Sequence, residues 1–195
     1  MITPAPTFDG TFAHHWTAEI LPNRPMILPS RHYVYPAQVE EVERGALEVL
    51  MRRENESQPF LATCALGFRD PAAPTGLWSM PHPDWICAVS GGYAYLVDTA
   101  HPEQFVHLRY RPVLTIYSCA LDNQQSENGN LLLFVSHHSI LAWGRDGEAW
   151  ESDRLSWEGV TIDGIEGNAL HGHGWDLRTD QDLPFTLDLG TGKII

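Results

Sequence analysis

Two histidines separated by one residue, His171 and His173 in the segment ALHGHGW, have the spacing of a metal-ligand pair on a β-strand. Side chains of a strand alternate between its two faces, so both imidazoles point the same way from Cα atoms about 7 Å apart. Neutral imidazole is a good ligand for zinc, copper, nickel or iron. A third ligand is needed, and His138, between the strand candidates LLLFVS and SILAWG, is the natural source. These residues predict a divalent metal site.

A metal ion with an open coordination position would activate water, as in a metal-dependent enzyme. Glu148 or Glu151, on the hairpin that follows His138, would then act as the base. The same strand has a second interpretation, in which Gly172 and Gly174 leave one face bare so that a backbone or an aromatic ring packs against it. The two histidines would then be partly exposed polar residues on the open face of a sheet.

Tryptophans are concentrated in the C-terminal half. Four of the seven lie within 33 residues of one another, and these are Trp143, Trp150, Trp157 and Trp175. Exposed indole rings beside carboxylates can bind carbohydrates, cations or proteins. We therefore predict ligand-binding roles for Trp143, Trp150 and Trp175, with packing in the core as the alternative.

Short strand candidates with closely spaced turn signals must position these residues. Gly91-Gly92 between WICAVS and YAYLVD marks a two-residue hairpin, and Asp146-Gly147 and Asp163-Gly164 mark further turns. Nine or ten such strands succeed one another along the chain. They predict a mainly β fold, with an antiparallel meander or sandwich-like sheet.

One amphipathic helix is predicted near residues 37–53, which makes the class α+β. Its apolar residues recur at helical spacing, and they are Val39, Val42, Ala46, Val49 and Leu50. The first 36 residues hold six of the fourteen prolines and predict an extended arm. We expect one domain over 1–195, with the arm, the helix and the first strand as a subdomain over 1–84 and an antiparallel β-rich half over 85–195.

Two segments of the C-terminal half have the form of short hairpin units. SILAWGRDGEAWES combines a strand, an Asp-Gly turn and a tryptophan-bearing strand, and FTLDLGTGKII ends a strand on a Thr-Gly-Lys turn. Both resemble blade segments of β-propellers of the quinoprotein and WD-repeat kind. The resemblance implies antiparallel hairpins of the blade type. A closed ring of at least four blades of about 40 residues would exceed the β-rich half, so a meander or sandwich is expected.

The histidine pair has a family counterpart as well. His-X-His on a strand of an all-β protein resembles the first metal motif of cupins. That motif has a Glu four or five residues after the second His, and Leu177 and Arg178 occupy those places here. The cupin ligand set is therefore not expected in this chain.

The net charge of −13 is unevenly distributed. From Asp146 to Ile195, eleven Asp and Glu stand against Arg154, Arg178 and Lys193, which leaves −8. Such a surface repels phosphate and anionic lipid headgroups, so we expect neither nucleic-acid nor membrane binding. A cationic partner is compatible with it.

The cysteines and the first residues bear on the compartment. Cys64, Cys87 and Cys119 are odd in number and lie in apolar contexts, which predicts reduced, buried thiols. The first residues lack a basic region followed by an apolar stretch, so no signal peptide is expected. Together these features predict a cytoplasmic protein.

Four features favour a soluble, non-enzymatic binding or interaction protein of bacterial type: the incomplete His-X-His metal motif, the acidic charge, the dense aromatics and the edge strands. It would use one face of its β-sheet for a protein or small molecule, and no cofactor is expected. One alternative is the metal-dependent enzyme with the His-X-His site. The other is a homo-oligomeric structural or accessory protein, such as a dimer joined at strand edges.

Overall fold

Almost all of the regular secondary structure in the described part of the chain is β. The computed structural model describes residues 5–37, 42–70, 72–120 and 129–195. Strands account for 51% of the described residues, which confirms the predicted mainly β class with antiparallel sheets. The chain divides into two compact units, Met1–Val113 and Leu114–Ile195. Within the described residues, no helix is long and apolar enough to cross a membrane.

The described part of the first unit contains two sheets. Its strands are β1 (Thr7–Asp9), β2 (Trp16–Leu21), β3 (His32–Tyr35), β4 (Ala46–Arg53), β5 (Phe60–Ala65), β6 (Gly76–Ser79), β7 (Trp85–Ser90), β8 (Tyr93–Asp98) and β9 (Phe105–His107). One sheet has the order β1-β6-β7-β8-β9 and the other β2-β4-β5-β3. Neighbours are antiparallel except for the parallel pairs β1–β6 and β3–β5. The segment predicted as an arm thus supplies β1, β2 and β3, and the predicted boundary at residues 84 and 85 falls between β6 and β7.

These two sheets face each other across one apolar core. Val49, Met51 and Phe60 of the four-stranded sheet pack in the same cluster as Ile86 and Tyr95 of the five-stranded sheet, and none is more than 1% exposed. Burial of each such side chain stabilises the fold by about 1.5–3 kcal/mol before entropy is counted. The first unit is therefore a β-sandwich.

The helix predicted near residues 37–53 is wrong over its second half. Ala46–Arg53 is strand β4, and residues 38–41 lie outside the described residues. Leu47, Val49 and Met51 alternate into the core, so the segment also carries the period-two pattern of a strand. Because β4 is hydrogen-bonded to β2 on one side and β5 on the other, sheet pairing overrides the helical propensity of its residues.

The hairpin predicted at Gly91-Gly92 is confirmed. Ser90 pairs with Tyr93 across the turn, and the two glycines have φ values of 56° and 76°. Positive φ at both central residues is the requirement of the tight turn that joins right-twisted strands.

The described part of the second unit also contains two sheets, both antiparallel. Its strands are β10 (Thr115–Cys119), β11 (Leu131–Val135), β12 (Ile140–Gly144), β13 (Gly147–Glu151), β14 (Val160–Glu166), β15 (Ala169–Asp176) and β16 (Gln181–Asp188). They are arranged as β10-β11-β12-β13 and β14-β15-β16. Leu131, Leu133 and Ile140 of the first sheet pack in one cluster with Leu170 and Leu187 of the second, all 0% exposed.

All three cysteines are free and buried, as the apolar contexts predicted. Burial raises the pKa of the Cys119 thiol to about 11. The thiol is therefore protonated at neutral pH and is a poor nucleophile, because the thiolate is the reactive form.

Candidate functional site

The face of β14, β15 and β16 that points away from the core is open to solvent. His173 pairs with Thr161 and Pro184, and His171 pairs with Thr186, so these side chains lie on the same face. Trp175 lies on it too, as the alternation of the strand predicted. We call this surface the open face, and it comprises Thr161, Asp163, Glu166, Ala169, His171, His173, Trp175, Asp182, Pro184, Thr186 and Asp188.

Two glycines on the opposite side of β15 hold this orientation. A Cβ atom on Gly172 would lie 2.3 Å from the carbonyl oxygen of Thr161 and 2.6 Å from the Phe185 ring. One on Gly174 would lie 2.5 Å from the carbonyl oxygen of Leu155. The interpretation that a backbone and an aromatic ring approach these glycines is confirmed. A slip of one residue would drive side chains into this contact, so the histidines stay on the open face.

Each imidazole of the pair has its own partner. Nδ1 of His173 lies 3.0 Å from Oδ1 of Asp163, and Nδ1 of His171 lies 3.1 Å from Oγ1 of Thr186. The His173 and Asp163 side chains are 38% and 53% exposed, so their pair adds little to stability. It does orient the imidazole, because engagement of Nδ1 leaves Nε2 as the nitrogen for a ligand.

Asp163 was missed by sequence reasoning, which read Asp163-Gly164 as a turn. Both residues lie inside β14, where the pairing with β15 shifts register between Ile162 and Gly164. Such a bulge re-aims the side chain at the extra residue, here toward His173. The chain reverses at Gly167 instead, with a φ of 59°. The Gly167-Asn168 dipeptide is the sequence signal that marks the true turn.

His138 is placed apart from the pair. It is exposed in the turn between β11 and β12, and its Nδ1 lies 3.2 Å from the carbonyl oxygen of Ser156. Over residues 5–37, 42–70, 72–120 and 129–195, no three His, Cys, Asp or Glu side chains are grouped so that they could hold a metal ion. The structure thus brings together His171 and His173 of the predicted ligands, and not His138.

The two predicted bases lie on β13. Oε1 of Glu151 accepts a hydrogen bond from Oγ of Ser139 at 3.2 Å, and Glu148 is exposed opposite Trp143. Both belong to the four-stranded sheet, whereas the histidine pair belongs to the three-stranded sheet.

The three tryptophans predicted to bind ligand lie in three environments. Trp150 is 7% exposed in the core, where its Nε1 donates to the carbonyl oxygen of Leu189 at 2.8 Å. This is the core packing given as the alternative, and it corrects the predicted ligand-binding role. Trp143 is half-buried and points to the other side of its sheet from Ala142, a core residue. Trp175 alone among the three belongs to the open face.

The edges of this sheet are poorly suited to pairing with another strand. Pro184 lacks the N–H that an added strand would need, and it lies in the outer strand β16. The end of β16 is covered by the last residues, through a bridge between Leu187 and Ile194 and a hydrogen bond from Ile195 N to Thr186 O. The bulge at Asp163 interrupts the other edge, so this sheet does not favour the edge-to-edge dimer.

A second polar cluster lies in the first unit around Asp84. Its Oδ1 accepts a hydrogen bond from Nη2 of Arg53 at 3.0 Å and lies 3.3 Å from Nδ1 of His15. Burial by itself would raise the pKa of Asp84, but the hydrogen bonds from Arg53 and His15 outweigh it and hold the pKa below its ordinary value.

We expect Asp84→Asn to destabilise the first unit at neutral pH and to do so less in acid. A depressed carboxyl pKa stabilises the fold above the pKa of the unfolded chain, about 3.9, and this contribution is lost as the pH falls through the folded value. The difference in unfolding free energy between wild type and variant should therefore shrink below about pH 4. Urea denaturation at pH 7 and pH 3 measures it, and a constant difference would contradict the assignment.

No family model, curated protein or solved structure matches the chain. The resemblance to propeller blades stays a prediction, carried by the hairpin of β12 and β13 and by the end of β16 with the turn after it.

Proposed function

We propose that this is a non-enzymatic binding protein whose open face docks a basic segment of a protein partner. The observation that carries the proposal is the charge of the three strands. They contain no Lys or Arg and five carboxylates, which are Asp163, Glu166, Asp176, Asp182 and Asp188. A surface of one sign selects a partner of the other sign and accelerates its association.

The carboxylates differ in availability. Asp188 is occupied by Asn168 and Thr191. Asp176 lies on the other side of β15 from Trp175 and caps the turn after that strand by accepting from the backbone of Arg178 and Thr179. Both therefore serve the fold first. Glu166 and Asp182 are exposed and remain for a ligand, and Asp163 is exposed beside His173, its partner in the ion pair.

Arg and Lys side chains suit the rest of the open face. An arginine fork binds a carboxylate through two parallel hydrogen bonds, and Asp163 and Asp182 stand on opposite outer strands with Trp175 and His173 on the strand between them. An indole face attracts a cation by about 0.5–1 kcal/mol at an exposed site. An open sheet surface flanked by carboxylates suits an extended peptide better than it suits a small molecule.

The test is selection from an array of random peptides. We expect the wild-type protein to retain peptides enriched in Arg and Lys, with binding that weakens as salt is raised. The variant Glu166→Lys with Asp182→Lys should lose them. The matched control, Glu43→Lys with Glu103→Lys, makes the same change in net charge at exposed positions of the first unit and should keep them.

Two results would overturn the proposal. Retained peptides without an excess of basic residues would remove the charge argument. Equal loss of binding in both double variants would show that net charge acts without the open face.

A further inference from the structure

The first unit contains a surface cavity of about 460 Å³ that is distinct from the open face. This volume is within the range of small-molecule sites. Its apolar lining is Ala5, Leu66, Phe68, Ala72, Ala73 and Pro74, and its charged lining is Arg69 and Asp70. A cavity with an apolar wall and few polar groups is the usual form of a ligand site.

The backbone around the cavity is held by hydrogen bonds to the Gly91-Gly92 turn. Phe68 N donates to Gly91 O at 2.8 Å on one side, and Gly92 N donates to Pro74 O at 3.0 Å on the other. Oγ1 of Thr75 accepts from Gly91 N at 2.9 Å. Two of the segments that line the cavity, 66–70 and 72–75, are thus hydrogen-bonded to one tight turn, which lowers the cost of ordering the site on binding.

Close packing beneath the cavity fixes Phe68. Its ring meets the Tyr93 ring edge to face, with centroids 5.6 Å apart and planes at 82°. A Cβ atom on Gly91 would lie 2.4 Å from Phe68 O and 2.8 Å from Cδ1 of Leu66. Phe68 is nevertheless 44% exposed, so the ring is oriented by the fold and still offers apolar surface.

The two charged residues retain hydrogen-bonding capacity. Nη2 of Arg69 donates to Arg44 O at 2.8 Å, and a guanidinium has five N–H donors. Oδ1 of Asp70 accepts from Ala72 N at 2.9 Å, and a carboxylate has two oxygens. One cation and one anion at adjacent positions match a ligand that carries both charges.

We propose that this cavity binds a free α-amino acid with an apolar side chain. Arg69 receives the ligand carboxylate, Asp70 receives its ammonium group, and the apolar side chain packs against Phe68 and Leu66. A fatty acid would pair with Arg69 but would place its carboxylate beside Asp70. A simple amine would pair with Asp70 but would place its ammonium group beside Arg69.

Calorimetric titration of the full chain with L-phenylalanine, L-leucine and glycine tests the proposal. Two analogues of phenylalanine are titrated beside them, 3-phenylpropionate without the ammonium group and phenethylamine without the carboxylate. We expect saturable binding of phenylalanine and leucine, and at least tenfold weaker binding of glycine and of both analogues. Arg69→Gln should weaken phenylalanine binding at least tenfold without weakening that of phenethylamine. Asp70→Asn should weaken phenylalanine binding as much without weakening that of 3-phenylpropionate.

Asp70→Asn retains an oxygen that accepts from Ala72 N, so the turn is preserved, and circular dichroism confirms that each variant is folded. The open-face variant Glu166→Lys with Asp182→Lys should bind phenylalanine as the wild type does, which separates this site from the proposed docking function. Absence of saturable binding at millimolar concentration, or analogues that bind as tightly as phenylalanine, would overturn the proposal.

Discussion

Replacing Trp150 with alanine is expected to lower the free energy of unfolding of the second unit by about 3–5 kcal/mol. The indole is 7% exposed in the core, so its removal leaves a large cavity. It also removes the hydrogen bond from Nε1 to Leu189 O. The turn after β16 packs on the ring so closely that a Cβ atom on Gly192 would lie 2.3 Å from Cε3. Hydrogen exchange of peptides from residues 114–195 measures the loss.

Trp175→Ala is the matched control, because the same residue type is half-buried on the open face. We expect it to cost about 1 kcal/mol or less, as for a substitution away from the core. Trp150→Phe keeps most of the ring and leaves Leu189 O without its donor, at about 1–3 kcal/mol. Equal losses for Trp150→Ala and Trp175→Ala would contradict the assignment of Trp150 to the core.

Trp150 also shows what sequence patterns do not contain. Its place is decided by Leu189 and Gly192, about 40 residues further along the chain. Nothing in the local segment GEAWES distinguishes a core tryptophan from an exposed one. The distinction depends on which strand packs above it, and that is a tertiary property.

Local rules did predict much of the fold. Alternation identified most strands of the C-terminal half, and the Gly-Gly hairpin followed from the φ values that the turn needs. The prediction for Ala46–Arg53 was wrong because the apolar residues of this segment fit both a helical and a strand period. Its partners β2 and β5 decide between the two periods, and a short window of sequence does not include them.

The candidate site was predictable only where it depends on local strand alternation. His171 and His173 share a face because strand alternation is local and rigid. Asp163 came to the same face through a bulge, which no turn propensity predicted. The charge of the open face was visible in the sequence as a sum, but its concentration on one surface required the register of three strands.

Replacing Arg24 with methionine is expected to destabilise the first unit by about 3 kcal/mol, because it leaves a buried carboxylate without its cationic partner. Nε of Arg24 donates to Oε1 of Glu48 at 2.8 Å, and the Glu48 side chain is 7% exposed. Oε2 of Glu48 accepts from Oγ1 of Thr63 at 2.6 Å, and that hydroxyl in turn lies 2.9 Å from Nε2 of His32. Since the Thr63 proton goes to Glu48, its oxygen is left to accept from His32. The expected loss of stability lies at the lower end of the range for buried ion pairs because Arg24 is 43% exposed.

A double variant separates charge from packing. Arg24→Met with Glu48→Gln removes the unpaired negative charge and keeps an acceptor for Thr63, so we expect it to recover most of the stability. Arg31→Met is the control, because Arg31 and its partner Glu56 are 30% and 34% exposed and their pair should contribute less than about 1 kcal/mol. Hydrogen exchange of peptides from residues 46–53 and 60–65 follows the loss in β4 and β5. A double variant no more stable than Arg24→Met would show that the arginine stabilises this sheet by covering it rather than by pairing with Glu48.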